Sequence, residues 1–389
     1  MRYLSTRCRT NSPRVHRLLA TVLAMSLLLV ACGDGDDEAP EEEAPAEETE
    51  EPATEEPETE APAEEPDGEE APAEETPEGE GEQAAAGPPE VAEVTVATIP
   101  IMAMAPFFHA QDAGIFEEEG LTVSHAIGSG GAELIPRLLS GEIDIFWTAL
   151  EPFIVARSEG VELDLVAAGH YYEKIDGEGL GLFALPDSGF ESIADLEGAT
   201  IAINTLNTFG HIFTQAALEH QGVDLDSIRW VEIPFPQMAP ALERGEVDAA
   251  WTPEPFITIM RNTLGAVPLL DPDASEPIMA ELPAFESAPG GAWGATAEFT
   301  EANPNTVAAF ARAIARANQA IADDKELGRE VMLANSEMTE GVLEEAAWPS
   351  WSEDLDLPAQ VQTSADLMVE YGVLDEPIDI SAFMHETVN

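Results

Sequence analysis

P-R-L-L-S-G-E-I-D-I-F-W-T-A-L-E-P-F-I, residues Pro136 to Ile154, returns further along the chain as P-A-L-E-R-G-E-V-D-A-A-W-T-P-E-P-F-I, residues Pro240 to Ile257. Ten or more identities align with a single one-residue gap. Chance explains this poorly, so the chain carries two related units. In each, a helical stretch ends at a glycine (Gly141, Gly245), a short apolar strand follows, and Trp-Thr leads into a second helix near Glu-Pro-Phe.

Outward from the repeat, strand and helix signals alternate. Val94 to Ile99, Leu121 to Ile127, Ile143 to Trp147, Leu163 to Ala168, Leu180 to Leu185, Thr200 to Asn204, Ile228 to Ile233, Val247 to Trp251 and Ala292 to Ala297 read as strands. Pro106 to Glu119, Ala132 to Ser140, Thr208 to His220 and Met238 to Arg244 read as helices between them, and Asn303 to Asp324 and Pro358 to Tyr371 as helices that close the chain. Such alternation predicts an α/β fold with mainly parallel sheets and a helical C-terminal segment. Ligands of open parallel sheets bind beyond the carboxyl ends of the strands, where Trp147-Thr148 and Trp251-Thr252 fall. Two units facing each other would line a cleft from both sides.

The region before residue 91 is of another kind. Residues 1 to 31 hold five arginines and no acid, and an apolar run from Leu18 to Ala31 too short to span a bilayer reads as a signal peptide. Leu29-Val30-Ala31-Cys32 resembles the lipobox of bacterial lipoproteins, which implies a lipid on Cys32 and a mature chain without a free thiol, since Cys8 leaves with the signal. From Gly33 to Glu90 there are 26 acids, ten prolines and no base. So little apolar surface cannot offset the entropy of ordering, so residues 32 to 90 read as a disordered acidic tether, reaching at most about 180 Å at ~3.1 Å per residue.

The net charge of -62 from 77 Asp and Glu against 15 Lys and Arg excludes nucleic acid as a partner, and two cysteines exclude a disulfide scaffold. The charge divides into +5 in the signal, -26 in the tether and -41 in residues 91 to 389. A domain that acidic is expected to gain stability with salt.

The stretch Gly114-Ile115-Phe116-Glu117-Glu118-Glu119-Gly120-Leu121, the Leu-Leu-Ser-Gly-Glu-Ile-Asp from Leu138, Ile193-Ala194-Asp195-Leu196-Glu197-Gly198, and Leu-Glu-Arg-Gly-Glu-Val-Asp from Leu242 resemble the substrate-binding proteins of nitrate/sulfonate/taurine-type ABC importers, a family that includes binders of thiamine pyrimidine precursors. The resemblance spans about residues 94 to 325. It implies a two-lobed type II periplasmic-binding-protein fold: lobe one from 91 to 184, lobe two from 185 to 289, and 290 to 389 returning to lobe one. It also implies a monomer that closes on a small ligand, then meets permease and ATPase subunits at the membrane to which Cys32 ties it.

Candidate ligand contacts follow from the strand ends. Met102 and Met104 would form a greasy wall, or else a core loop. Ser129 and Gly130 sit in a Gly-rich turn whose N–H groups could cradle an oxygen. Asn204, Asn207 and Thr208 form the matching turn in the second unit, where Asn207 or Thr208 could instead cap a helix. Phe235 offers stacking and Gln237 hydrogen bonds. Trp147, Thr148 and Glu151 from one repeat, and Trp251, Thr252 and Glu254 from the other, complete the set. Glu151 and Glu254 would accept hydrogen bonds from an amino group, or would simply complement helix N-termini. His170-Tyr171-Tyr172 and Trp293 could add aromatic walls near the hinge. No arginine falls at an expected strand end, so a zwitterion or neutral aminated ring fits better than a doubly charged anion.

No cofactor or metal is implied. The family's enzyme branch, the pyrimidine synthases, uses a cysteine-rich stretch that the mature chain lacks, and no nucleophile elbow or Walker loop is present. A non-catalytic binder is expected. The alternatives are a surface-tethered adhesion protein and, less favoured, a synthase-like enzyme.

Overall fold

A computed structural model describes residues 87–172, 180–270, 288–351 and 356–388. The expected signal peptide, the acidic tether apart from its last residues, and Cys32 lie outside the described residues. Ten strands follow in chain order: β1 (Glu93–Thr98), β2 (Thr122–Ile127), β3 (Ile145–Thr148), β4 (Leu163–Tyr172), β5 (Leu180–Ala184), β6 (Thr200–Ile203), β7 (Arg229–Glu232), β8 (Ala249–Pro253), β9 (Val267–Pro268) and β10 (Ala288–Thr296). They form two five-stranded sheets of orders β2-β1-β3-β10-β4 and β7-β6-β8-β5-β9. The sheets share one plan. Each has a parallel trio (β2-β1-β3, β7-β6-β8) flanked by one antiparallel strand, β10 or β5. Four strands of five therefore point the same way in each sheet, as expected, although the two antiparallel strands account for half of the pairings between named strands.

The repeat explains why the two sheets match. Helices α1 (Ala105–Asp112), α2 (Ile115–Glu118), α3 (Gly131–Leu139), α4 (Leu150–Ser158), α5 (Phe209–His220), α6 (Phe235–Glu243) and α7 (Phe256–Leu264) alternate with the strands. The repeated glycines end α3 and α6 in the left-handed region, with φ of 72° at Gly141 and 66° at Gly245, where a side chain would be strained. Three residues later the repeated aspartates tie the central strands: Asp144 Oδ2 accepts from Thr95 N–H of β1 at 2.7 Å, and Asp248 Oδ2 from Thr200 N–H of β6 at 2.8 Å. Strands β3 and β8 are buried throughout, as central strands covered on both faces must be.

Strand β9 and the short helices at Ala297–Ala302, Lys325–Asn335 and Glu340–Glu345 were not expected from sequence, and two expected elements differ in extent. The stretch from Pro106 to Glu119 is two helices rather than one, because Gly114 adopts φ 72° between them. Strand β4 runs on to Tyr172, so His170 and Tyr171 lie in the sheet rather than in a loop after it. This close pairing with β10 needs Gly169, where a Cβ would overlap the Gly291 carbonyl.

After β10 come α8 (Ala297–Ala302), α9 (Pro304–Asp323), α10 (Lys325–Asn335), α11 (Glu340–Glu345) and α12 (Leu357–Glu370). The apolar face of α9 buries Val307, Phe310, Ile314, Ala317 and Ile321 against α1 and β4. Arg312 and Arg316 pair with Glu118 and Glu119 of α2 and its C-cap. The last helices do not serve lobe one alone. α11 packs on α7, Asn262 Nδ2 donates to Glu345 Oε2 at 2.8 Å, and α12 touches both α4 and α5.

Candidate functional site

The carboxyl ends of both parallel trios open onto one cavity of about 90 Å³, measured to the centres of water-sized spheres. Since one water needs roughly 10–15 Å³ in that measure, the space suits several waters or one compact solute. Lobe one supplies Ile99 and Ile101 after β1, Gly130 and Gly131 at the start of α3, and Trp147, Ala149, Glu151 and Pro152 from the β3–α4 turn. Lobe two supplies Asn204, Thr205 and Thr208 after β6, Phe209 and Gly210 of α5, Phe235 of α6, and Trp251 and Pro253 of β8. His170 of β4, Leu180 of β5 and Gly290 of β10 complete the wall.

Glycines let these elements meet. A Cβ on Gly131 would stand 2.7 Å from Thr148 Oγ1 and 2.8 Å from Pro152 Cβ, and one on Gly210 would overlap the Trp251 indole nitrogen. In both lobes a helix N-terminus thus lies directly on the end of the Trp-Thr strand. Across the cleft, Asn204 Nδ2 donates to the Ser129 carbonyl at 3.2 Å, and a Cβ on Gly130 would sit 3.2 Å from Asn204 Oδ1.

Of the residues expected from sequence, Gly130, Trp147, Glu151, His170, Asn204, Thr208, Phe235 and Trp251 line the cavity. The others are engaged elsewhere. Met102 and Met104 form a buried turn, 0% and 1% exposed, because the apolar loop after β1 folds inward; Ile99 and Ile101 give the greasy wall instead. The Ser129 N–H and hydroxyl both donate to Glu133 Oε2 at 2.7 Å. The buried Thr148 and Thr252 hydroxyls donate to neighbouring carbonyls, of Ala149 at 2.9 Å and of Pro253 at 3.4 Å. Asn207 takes φ 62° and donates its N–H to His211 Nδ1 at 3.0 Å. Thr208 occupies the N-cap of α5 without capping, its hydroxyl donating to Thr205 O at 2.8 Å. Gln237 is exposed on α6. Trp293 packs in the lobe-one core with Phe107 and Phe310.

Glu254 also stands outside the lining. Its Oε2 accepts from Thr258 N–H at 3.0 Å, and its Oε1 from the Thr258 hydroxyl at 2.8 Å and Ala347 N–H at 3.4 Å. It is a buried helix cap that also fastens the C-terminal segment to lobe two.

Glu151 has the other fate. It is the second residue of α4, 2% exposed, and faces the cavity. Ser364 of α12 donates to its Oε1 at 3.0 Å, and the Phe209 N–H at the start of α5 favours its charged form from the opposite lobe. Burial outweighs these contacts and raises its pKa. Burial also holds His170 uncharged, its pKa lowered to about 3, stacked on Trp147 with centroids 5.6 Å apart. Among the described residues the lining holds no lysine or arginine.

Sequence reasoning missed Phe209 and Gly210, and with them Leu180 and Gly290. The Phe-Gly pair at a helix start was the available signal, since a glycine there has no local turn to serve.

The comparisons with known proteins agree with this architecture. The taurine-binding periplasmic protein of Escherichia coli (strain K12) is 26% identical over 204 residues, 52% of this chain and 58% of that protein. The chain thus spans little more than half the length of that curated relative. The zinc-bound ligand-binding component of an ABC-type import system from Staphylococcus aureus superposes with a TM-score of 0.64 at 15% identity, covering 77% of this chain and 98% of that one. The alkanesulfonate-binding protein of Xanthomonas axonopodis pv. citri, bound to MOPS, gives 0.62 at 18% identity, covering 76% and 99%. The NMT1-like family matches residues 87–334, well over half of the sequence and both five-stranded sheets, and the chain belongs to that family.

Proposed function

We propose that this chain is an extracytoplasmic solute-binding protein, which captures a small organic ligand between its lobes and delivers it to an ABC importer. The observation that carries this reading is a cavity lined from the strand ends of both sheets, the place where open α/β sheets hold ligands. Gly130, Trp147, Glu151, Asn204, Thr208 and Phe235 are its contacts. The ligand is a sulfonate or taurine-like compound or an aminopyrimidine thiamine precursor. The chain acts as a monomer without catalysis, tied to the outer face of the membrane through a lipid on Cys32, and its partners are permease and ATPase subunits. The taurine-binding relative supports the small solute, the import-system component supports the transport role, and the lipobox-like Leu29 to Cys32 supports the anchor.

A thermal-shift screen of the full chain against taurine, alkanesulfonates, nitrate and aminopyrimidines tests this. Binding to the folded state alone raises the melting temperature in proportion to the logarithm of ligand concentration. A ligand-specific rise is expected. Silence across the panel, with binding to a surface polymer instead, would favour an adhesion protein.

A further inference from the structure

The cavity contains one carboxylate and no cation among the described residues, which constrains the charge of its occupant. A carboxylate 2% exposed and without a basic partner is costly to keep. Lobe two shows what the repeated glutamate does when it serves the fold alone: Glu254 is turned into the protein with three donors on its two oxygens. Glu151 also accepts, from the Ser364 hydroxyl, its own N–H and the Phe209 N–H, but it does so facing the cavity. The other groups facing it are the Phe209 N–H from α5 and uncharged His170 from β4.

A second observation points to the same occupant. Trp147 lines the cavity, is 4% exposed, and its buried indole Nε1 has no hydrogen-bond partner among the described residues. An indole N–H can only donate, so it asks for an acceptor, while an ionised Glu151 can only accept. Ile99, Phe209, Phe235 and Trp251 give the wall its apolar faces, beside the polar side chains of Asn204, Thr205 and Thr208.

Resting on the solute-binding reading, we propose that the ligand is bifunctional: an amino or ammonium nitrogen donates to Glu151, an oxygen or ring nitrogen accepts from Trp147 Nε1, and an apolar or planar body lies between the lobes. Simple anions without such a nitrogen are rejected, because they would bring a second negative charge beside a desolvated carboxylate.

Matched pairs that differ only in the nitrogen test this: taurine against ethanesulfonate, and 4-aminopyrimidine against pyrimidine, titrated calorimetrically into the full chain and its Glu151→Gln variant. The aminated member of at least one pair is expected to bind tenfold or more tightly than its partner, with the preference lost in Glu151→Gln. Glutamine keeps a donor and a carbonyl acceptor but no charge, so an anion held by a protonated Glu151 would survive that substitution, an ammonium held by the carboxylate would not, and a neutral amino group is tested with Glu151→Leu, which removes the acceptor as well. The proposal is overturned if ethanesulfonate, nitrate or pyrimidine binds as well as the aminated compounds, if the variant keeps the preference, or if no aminated member binds. Binding of an anion without a nitrogen requirement would leave the importer reading standing; only silence across the whole solute panel would remove that as well.

Discussion

In lobe one the chain leaves β3 through Trp147-Thr148-Ala149-Leu150 before reaching Glu151; in lobe two it leaves β8 through Trp251-Thr252-Pro253 and reaches Glu254 one residue sooner. That residue decides the fate of the carboxylate. Leu150, 1% exposed, anchors the first position of α4, and Glu151 follows it inside the helix and toward the cavity. Without it, Glu254 precedes the N-cap of α7 and folds back onto the Thr258 N–H four residues on. Burial pushes both carboxyl groups above the usual carboxylate range, yet one caps a helix and the other faces a cavity. A duplicated motif therefore conserves the architecture, through its glycine and aspartate, while a single insertion separates scaffold from site.

The sharpest way to break this contrast is to remove each carboxylate in turn. Glu254→Ala leaves the Thr258 N–H and hydroxyl and the Ala347 N–H without their acceptor and is expected to cost about 2–3 kcal/mol in denaturant unfolding. Glu151→Ala is expected to cost under about 1 kcal/mol while abolishing ligand binding, since it removes a desolvated carboxylate with no basic partner, whereas Arg261 favours the charge of Glu254. Equal losses of stability would erase the distinction.

What the lobes share can be tested through the glycines that seat each helix on its Trp-Thr strand end. Gly131→Ala and Gly210→Ala should each destabilise by roughly 1–3 kcal/mol through overpacking. Gly210→Ala should be the worse of the two, because its Cβ would overlap the Trp251 ring nitrogen while that of Gly131 meets side-chain atoms at 2.7–2.8 Å. The reverse order in chemical denaturation would mean that lobe two repacks more freely.

The aspartate clamps should differ more gently. Asp144→Ala and Asp248→Ala each lose a charge-assisted bond to a strand N–H, expected to be worth about 1–2 kcal/mol. The larger loss is expected for Asp144, whose bond is partly buried where that of Asp248 is exposed.

A further difference between the lobes concerns pH. His211 of lobe two is buried and held neutral, its pKa lowered to about 4. The unfolded chain binds a proton there below about pH 6.5, so this contribution to stability is whole above that pH and is lost as pH falls toward 4. The slope should approach about 1.4 kcal/mol per pH unit within that window. His211→Gln should flatten the pH dependence of unfolding between those limits by that amount; an unchanged slope would show that His211 does not titrate with folding.

Most of the architecture was legible in the sequence because it is written in local periodicity. The strands and helices fall within a few residues of expectation, and the repeat announced two matching sheets. Misreadings arose where one residue redirects the chain, as Gly114 does in splitting a helix, or where an element is too short to carry a pattern, as with two-residue β9. The site was harder to read. Met102 and Met104 look the same in sequence whether they face a ligand or a core, and only packing separates the two. The contacts that define the cleft join residues far apart, 75 positions for Asn204 with Ser129 and 213 for Glu151 with Ser364, and no local signal encodes such pairs.

Native mass spectrometry of the full chain and its Glu151→Gln variant, purified from the same cells, tests the central claim most directly. The wild-type chain should retain a nitrogen-bearing small molecule that leaves on denaturation, and the variant should lose it. Equal retention by both chains, a retained molecule without nitrogen, or an empty wild-type chain that no small solute stabilises would contradict the account.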